Sequence, residues 1–462
     1  MITTSFFELF KAGPGPSSSH TIGPMRAAYR FRHEVADYIG AATHQRYHIR
    51  VELYGALAAT GHGHGTHRAL LAGLLGYTPT DVDIDRLNGF FAQPDEIYQL
   101  FDDYPSIVLT ERDLFFDYTA NTYRHPNTVK FVLLDANFVP LLSEVFYSIG
   151  GGFIEKEGEP RRTESQKQPR YAYGNMAELE KIVAWEHLPV EKVLLDNEIA
   201  LTGDSEAAIY QRIADIMEVM HQSVLRGLAT EGILPGGLNV SRRAKGMYEK
   251  SLQLAQQNRY ADALFAKLNA YALAVSEENA AGQMVVTAPT NGAAGIIPAC
   301  LEYLRCDCAI PERTLQNGLL IAAMVGFIIK DNASISGAEL GCQAEVGSAA
   351  AMAAALFSYC NGLSFSRIVA AAEIAMEHHL GMTCDPIKGL VQIPCIERNA
   401  NGAIKAYNAY LLADGRTSRP VISFDQVVEV MRQTGEDLSA KYKETASGGL
   451  ATSFGWGNMP GS

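Results

Sequence analysis

Thr314–Lys330 (TLQNGLLIAAMVGFIIK) and Glu345–Phe357 (EVGSAAAMAAALF) carry apolar side chains nearly all the way round a helical projection. A helix with no polar face has nothing to offer water and belongs inside a bundle. The longest apolar runs, Gly318–Ile329 and Val346–Phe357, are about a dozen residues each, short of the roughly 20 that a membrane span needs. They read as core helices. Working outward, Ser366–Leu380 is a further helix candidate. Upstream, Asp204 is placed to cap a helix in which Ile209, Ile213, Ile216, Met220 and Val224 recur at three and four residues. Residues 177–462 are therefore expected to form an all-helical domain with glycine-rich turns.

The first 150 or so residues read differently. Tyr47–Tyr54 (YHIRVELY) alternates polar and apolar residues as a half-buried strand does. Val129–Leu134 and Ser143–Ile149 look alike. Pro24 is expected at the first position of a helix whose apolar spacing continues over Met25–Tyr38. Residues 1–154 thus predict an α/β domain, and the polar stretch Glu155–Met176 reads as a linker or a long ordered loop. The fold class expected is multidomain α+β.

A hydrophobic content of 47% with 19% charged residues is that of a globular chain. The net charge of −13 argues against nucleic acid or an anionic membrane as main partner, though not against an anionic substrate in a locally basic pocket. The N-terminal residues lack the basic and apolar regions of a signal peptide, so a cytoplasmic location is expected. All seven cysteines, Cys300, Cys306, Cys308, Cys342, Cys360, Cys384 and Cys395, follow residue 299. An odd number without a secretion signal is no disulfide framework. They are either small buried hydrophobes or soft-metal ligands.

Three groups could carry chemistry. Gly13–Pro24 (GPGPSSSHTIGP) precedes a helix, and its amides and serine hydroxyls could cradle a carboxylate or phosphate; a Pro-Gly turn with a serine cap is the plainer reading. Gly61–His67 (GHGHGTH) packs three histidines into seven residues, which suits zinc or iron but also a surface loop, and no nearby carboxylate completes a ligand set. Cys342 precedes an apolar helix whose dipole would favour a thiolate, while Cys384 and Cys395 lie in glycine- and proline-flanked loops without compact C-x-x-C spacing.

Taken as blocks, Gly15–Thr21 (GPSSSHT), Gly63–Thr66 (GHGT), Glu231–Asn239 (EGILPGGLN) and Thr287–Gly292 (TAPTNG) resemble the iron–sulfur L-serine dehydratases. So do Ala333–Glu339 (ASISGAE), Gly381–Pro386 (GMTCDP) and Val391–Asn399 (VQIPCIERN), in the family's order over nearly the whole chain. The resemblance is to the single-chain type. It implies an N-terminal α/β part, a C-terminal helical catalytic part, and a homodimer. It also implies a [4Fe–4S] cluster on Cys342, Cys384 and Cys395, which turns L-serine into pyruvate and ammonia without pyridoxal phosphate. Four thiolates would close a cluster, whereas three leave one iron open as a Lewis acid for the 3-hydroxyl. The resemblance further brings Ser17, Ser18, Ser19, His20, His64, Thr66 and Asn291 to the site. Hydroxyls and Asn291 would take the substrate carboxylate, and His64 or His20 would move protons.

Two departures bear on the substrate. Many relatives end in a cysteine that can occupy the open iron, but no cysteine follows Cys395 here, and the tail Thr452–Ser462 is longer. Lys388 stands where the family usually has glycine, either turned to solvent or facing an extra anionic group on a substrate other than serine. The alternatives are therefore the same chemistry on another small 3-hydroxy amino acid in a specialised pathway, a non-catalytic serine-binding relative, or a zinc hydrolase on His62, His64 and His67.

Overall fold

The alternation in YHIRVELY becomes the strand His48–Gly55, which buries Ile49, Val51 and Leu53 on one face. The computed structural model of the protein describes residues 1–40, 46–93, 95–102, 104, 107–119, 121–159, 167–418 and 420–453. In it the strand is second in a five-stranded sheet, ordered Leu114–Asp117, His48–Gly55, Asn127–Leu134, Pro140–Ser148, Ile154–Lys156. The first pair is parallel and the others are antiparallel. Helices Ile22–Ile39 and Thr66–Leu74 cover the sheet, and Phe31, Phe131 and Phe146 meet in the core between them. The helix starts at Ile22, so Pro24 is its third residue and not its first. That position costs nothing, because the first four amides of a helix have no intrahelical acceptor to lose.

From Met176 onward the chain is helical apart from the short strand Met284–Val286, matching the expectation of an α/β part followed by a helical part. Helix Ser348–Cys360 runs through the middle, with every residue except Tyr359 buried, against Glu312–Asn332, Phe365–Glu377 and Cys395–Asp414. Each Leu, Ile or Phe buried in such a core contributes about 1.5–3 kcal/mol. Two local expectations change. Ser205, not Asp204, caps helix Glu206–Ala229, its hydroxyl accepting from Ala208 N–H, while Asp204 pairs with Arg212. The helix expected from Glu345 is preceded by a wider π-type turn, Gln343–Gly347, that leads into it directly from Cys342.

The polar stretch 155–176 begins as the end of a strand and finishes against the helical core, where Tyr171 exchanges hydrogen bonds with Asn197 and Tyr173 is buried. Its residues 160–166 lie outside the described residues. Residues 1–14 pack with the helices. Phe6, Leu9 and Phe10 enter the helical core, and Ala12–Pro14 pairs antiparallel with Met284–Val286. This small ribbon fixes the site, because the chain leaves it directly into the serine turn.

Candidate active site

Gly15 opens that turn. A Cβ on it would lie 2.1 Å from the carbonyl oxygen of Asn279, so only glycine lets the backbones approach. Asn279 Nδ2 donates to the carbonyls of Pro16 (2.7 Å) and Asn291 (3.0 Å), clamping the turn to the loop at 291. The backbone N–H of Asn291 donates to Ser18 Oγ, and its side-chain amide to the Pro14 carbonyl. Ser17, Ser18, Ser19 and His20 are all buried as a result.

His20 is held on both ring nitrogens. Nδ1 lies 2.9 Å from Ser19 Oγ, and Nε2 lies 3.1 Å from the Ala56 carbonyl and 2.9 Å from Thr60 Oγ1. Burial pushes its pKa down to about 4, so the ring is neutral near pH 7. His64 meets it edge-on, with ring centroids 4.3 Å apart. Unlike His20, His64 is buried with neither ring nitrogen hydrogen-bonded. Burial, and then His20, hold its pKa well below the ordinary value.

The facing wall comes from three separate places in the helical part. Cys342 precedes the π-type turn, Cys384 lies in a loop, and Cys395 opens helix Cys395–Asp414. All three are buried free thiols on one small cavity with Ser17, His64, Glu345 and Glu444. The Cys342 thiol is pulled below its ordinary range, first by a hydrogen bond from Cys384. Arg398 interacts electrostatically with all three thiols, donates to the Thr383 carbonyl at 2.7 Å and pairs with Asp385 at 3.2 Å. Burial raises Glu345 to about 7 and Glu444 well above the usual carboxylate range.

The Cys384 loop is tied to the end of the described chain. Cys384 N–H donates to the Tyr442 carbonyl, Glu444 N–H donates to the Cys384 carbonyl, and Leu450 N–H donates to Asp385. Glu444 holds a left-handed φ of 60°, which costs a non-glycine residue about 1–2 kcal/mol and is kept by these flanking bonds. Its Oε1 reaches to 3.5 Å from His20 Nδ1, joining the two walls.

The donor set suits an iron–sulfur group on an observation of this cavity. A Cβ on Gly337 would sit 2.7 Å from Glu345 Oε2 and 3.4 Å from Cys384 Sγ, and one on Gly292 would sit 2.9 Å from Glu345 Oε1. Side chains are thus excluded from the space beside Glu345 and Cys384, and thiols are the soft donors such a cluster takes. One sulfur each from Cys342 and Cys384 lies with a Glu345 oxygen within 4.8 Å of one another.

Of the residues expected at the site, Ser17, His64, Cys342, Cys384 and Cys395 share the cavity wall. Ser18, Ser19 and His20 back it. Asn291 and Thr66 are buried with a side-chain oxygen lacking a partner but are not on that wall. Lys388 is also off the wall. Its φ of 54° is left-handed, the conformation glycine adopts most cheaply. Glu345, Arg398, Asn279 and Glu444 were not singled out from sequence. Glu345 stands three residues after Cys342 and Arg398 three after Cys395, and that spacing on a helical turn was the available signal. The tail beyond Ser453, with its carboxylate, lies outside the described residues. Cys300 and Cys360 are buried in the helical core, and Cys306 and Cys308 are exposed. No helix among the described residues is long and apolar enough to cross a membrane.

Two sequence families match the chain: serine dehydratase beta chain over residues 5–159 and serine dehydratase alpha chain over residues 185–451. The chain is 43% identical to the L-serine dehydratase of Haemophilus influenzae over 459 residues, covering 97% of this chain and 98% of that one. Identity is 43% to L-serine dehydratase TdcG of Escherichia coli (97% and 98% covered) and 41% to the L-serine dehydratase of Streptomyces coelicolor (97% and 99% covered).

Proposed function

We propose, from the premise that this chain belongs to the serine dehydratase family, that it is a lyase removing water and then ammonia from L-serine to leave pyruvate. The observation that carries this reading is the cavity itself, where three buried thiols from distant segments face a buried histidine with both ring nitrogens free.

Cys342, Cys384 and Cys395 would hold a [4Fe–4S] cluster, and Arg398 would offset the negative charge of their thiolates. When bound by three thiolates, such a cluster supplies Lewis acidity toward the departing 3-hydroxyl. The protein's own groups do the rest. Ser17 presents its hydroxyl to the cavity for the substrate carboxylate, and Ser18 and Asn291 hold the serine turn in place. His64 has a free lone pair to take the α-proton at a ring nitrogen. His20 has both nitrogens committed and positions His64 by ring contact. This division of labour assigns proton transfer to His64. The aminoacrylate released tautomerises to an imine, which water hydrolyses to pyruvate and ammonia. The soluble setting expected is the cytoplasm, with a homodimer as assembly.

The test is pyruvate and ammonia release from L-serine by anaerobically iron-loaded protein. Turnover that disappears in Cys384→Ala supports the reading. Full iron loading with no turnover of L-serine would overturn the substrate.

A further inference from the structure

The three histidines of Gly61–His67 do not act together. Gly63 and Gly65, the latter at a φ of 71°, turn the chain so that His64 enters the cavity while His62 stays exposed on the opposite side. There His62 stacks on Phe116, with centroids 4.0 Å apart and planes within 21°. His67, on the first turn of helix Thr66–Leu74, lies beside it with centroids 5.3 Å apart. The carboxylate missing from the local sequence arrives from Glu111, at the start of the short 3-10 turn Glu111–Asp113 that leads into strand Leu114–Asp117. One donor atom from each of His62, His67 and Glu111 lies within 4.8 Å of the others.

We propose that His62, His67 and Glu111 form a second metal site, for a divalent transition ion of the zinc class, independent of the cavity and of the activity assigned to it. Two imidazoles and one carboxylate are a common zinc donor set, with the fourth position left to water. Tetrahedral zinc with bonds of about 2.0–2.1 Å sets its donors roughly 3.3 Å apart. The present spread, within 4.8 Å, is wider than that, and the exposed Glu111 side chain can swing inward to shorten it.

Two features favour occupancy. The Phe116 stack and the parallel pairing of its strand with His48–Gly55 fix the plane of the His62 ring before any ion arrives. His67 is nine-tenths buried, with Nδ1 lacking a hydrogen-bond partner. Arg68 opposes a cation here, and the charge of Glu111 offsets it.

The test is equilibrium dialysis of tag-free, iron-loaded protein against zinc chloride under anaerobic conditions, with zinc and iron both counted. The expected result is one zinc per chain with no iron released, and a thermal midpoint that rises with zinc concentration. His62→Ala and Glu111→Ala should each weaken zinc binding by about tenfold or more and abolish the rise in midpoint. Both residues are exposed, so unchanged midpoints without zinc will show that the variants fold. Zinc binding unaltered in both variants would overturn the proposal. So would zinc that follows the exposed pair in Cys306→Ser/Cys308→Ser, or zinc taken up in proportion to iron lost.

Discussion

On the cysteine wall of the cavity, acidic groups crowd around one cation. Arg398 serves three thiols and Asp385, with the buried Glu444 and the half-buried Glu345 on the same wall. On the facing wall the groups are neutral: His20 and His64 have pKa values pushed down by burial, and serine hydroxyls complete the set. The difference teaches that the two walls pay for burial in opposite ways. The cysteine wall gathers its acidic groups around one cation and is suited to hold a charged group. The histidine wall leaves polar atoms open, which is costly unless a ligand meets them.

The sharpest way to break this comparison is to remove one thiol. Cys384→Ala should lose bound iron and all pyruvate formation, and iron retained at the wild-type level would mean that this wall holds no cluster. Removing the opposite group should separate the two functions. His64→Ala should keep its iron and lose about 10²- to 10⁴-fold in kcat, as iron analysis and steady-state rates would show. Loss of iron in that variant would make the two walls one unit.

Smaller effects test the forces within each wall. Arg398→Ala leaves Asp385 and the thiols without their cation, and denaturant unfolding should register a loss of about 3 kcal/mol. Ser19→Ala strips His20 Nδ1 of its nearer hydroxyl, at a cost of about 1–3 kcal/mol by the same measurement. Lys388→Gly should change stability least. Relief of a left-handed backbone worth about 1–2 kcal/mol is opposed by roughly 0.5–1 kcal/mol of glycine entropy, so the variant should be equal to or slightly more stable than the parent, with kcat for L-serine unchanged.

What the sequence determined by itself follows from local periodicity. Alternation in His48–Gly55 and the all-round apolar character of Ser348–Cys360 depend only on which faces a strand or helix buries, so the α/β part and the helical part were legible before any tertiary contact. The residue blocks also named the cysteines and the serine–histidine turn. The tertiary structure alone decided how these blocks meet. Residues 1–14 join the helices because Phe6, Leu9 and Phe10 fill their core, and nothing local predicts that. Glu444 reaches His20 through backbone pairing with Cys384, a contact across 60 residues from a segment with no periodic pattern. Likewise His62, His64 and His67 are equivalent as a string, yet glycine turns send His64 to the cavity and leave His62 and His67 beside Glu111. Periodicity says which side of an element faces a core, but it carries no information about which distant side chains share the space beyond it.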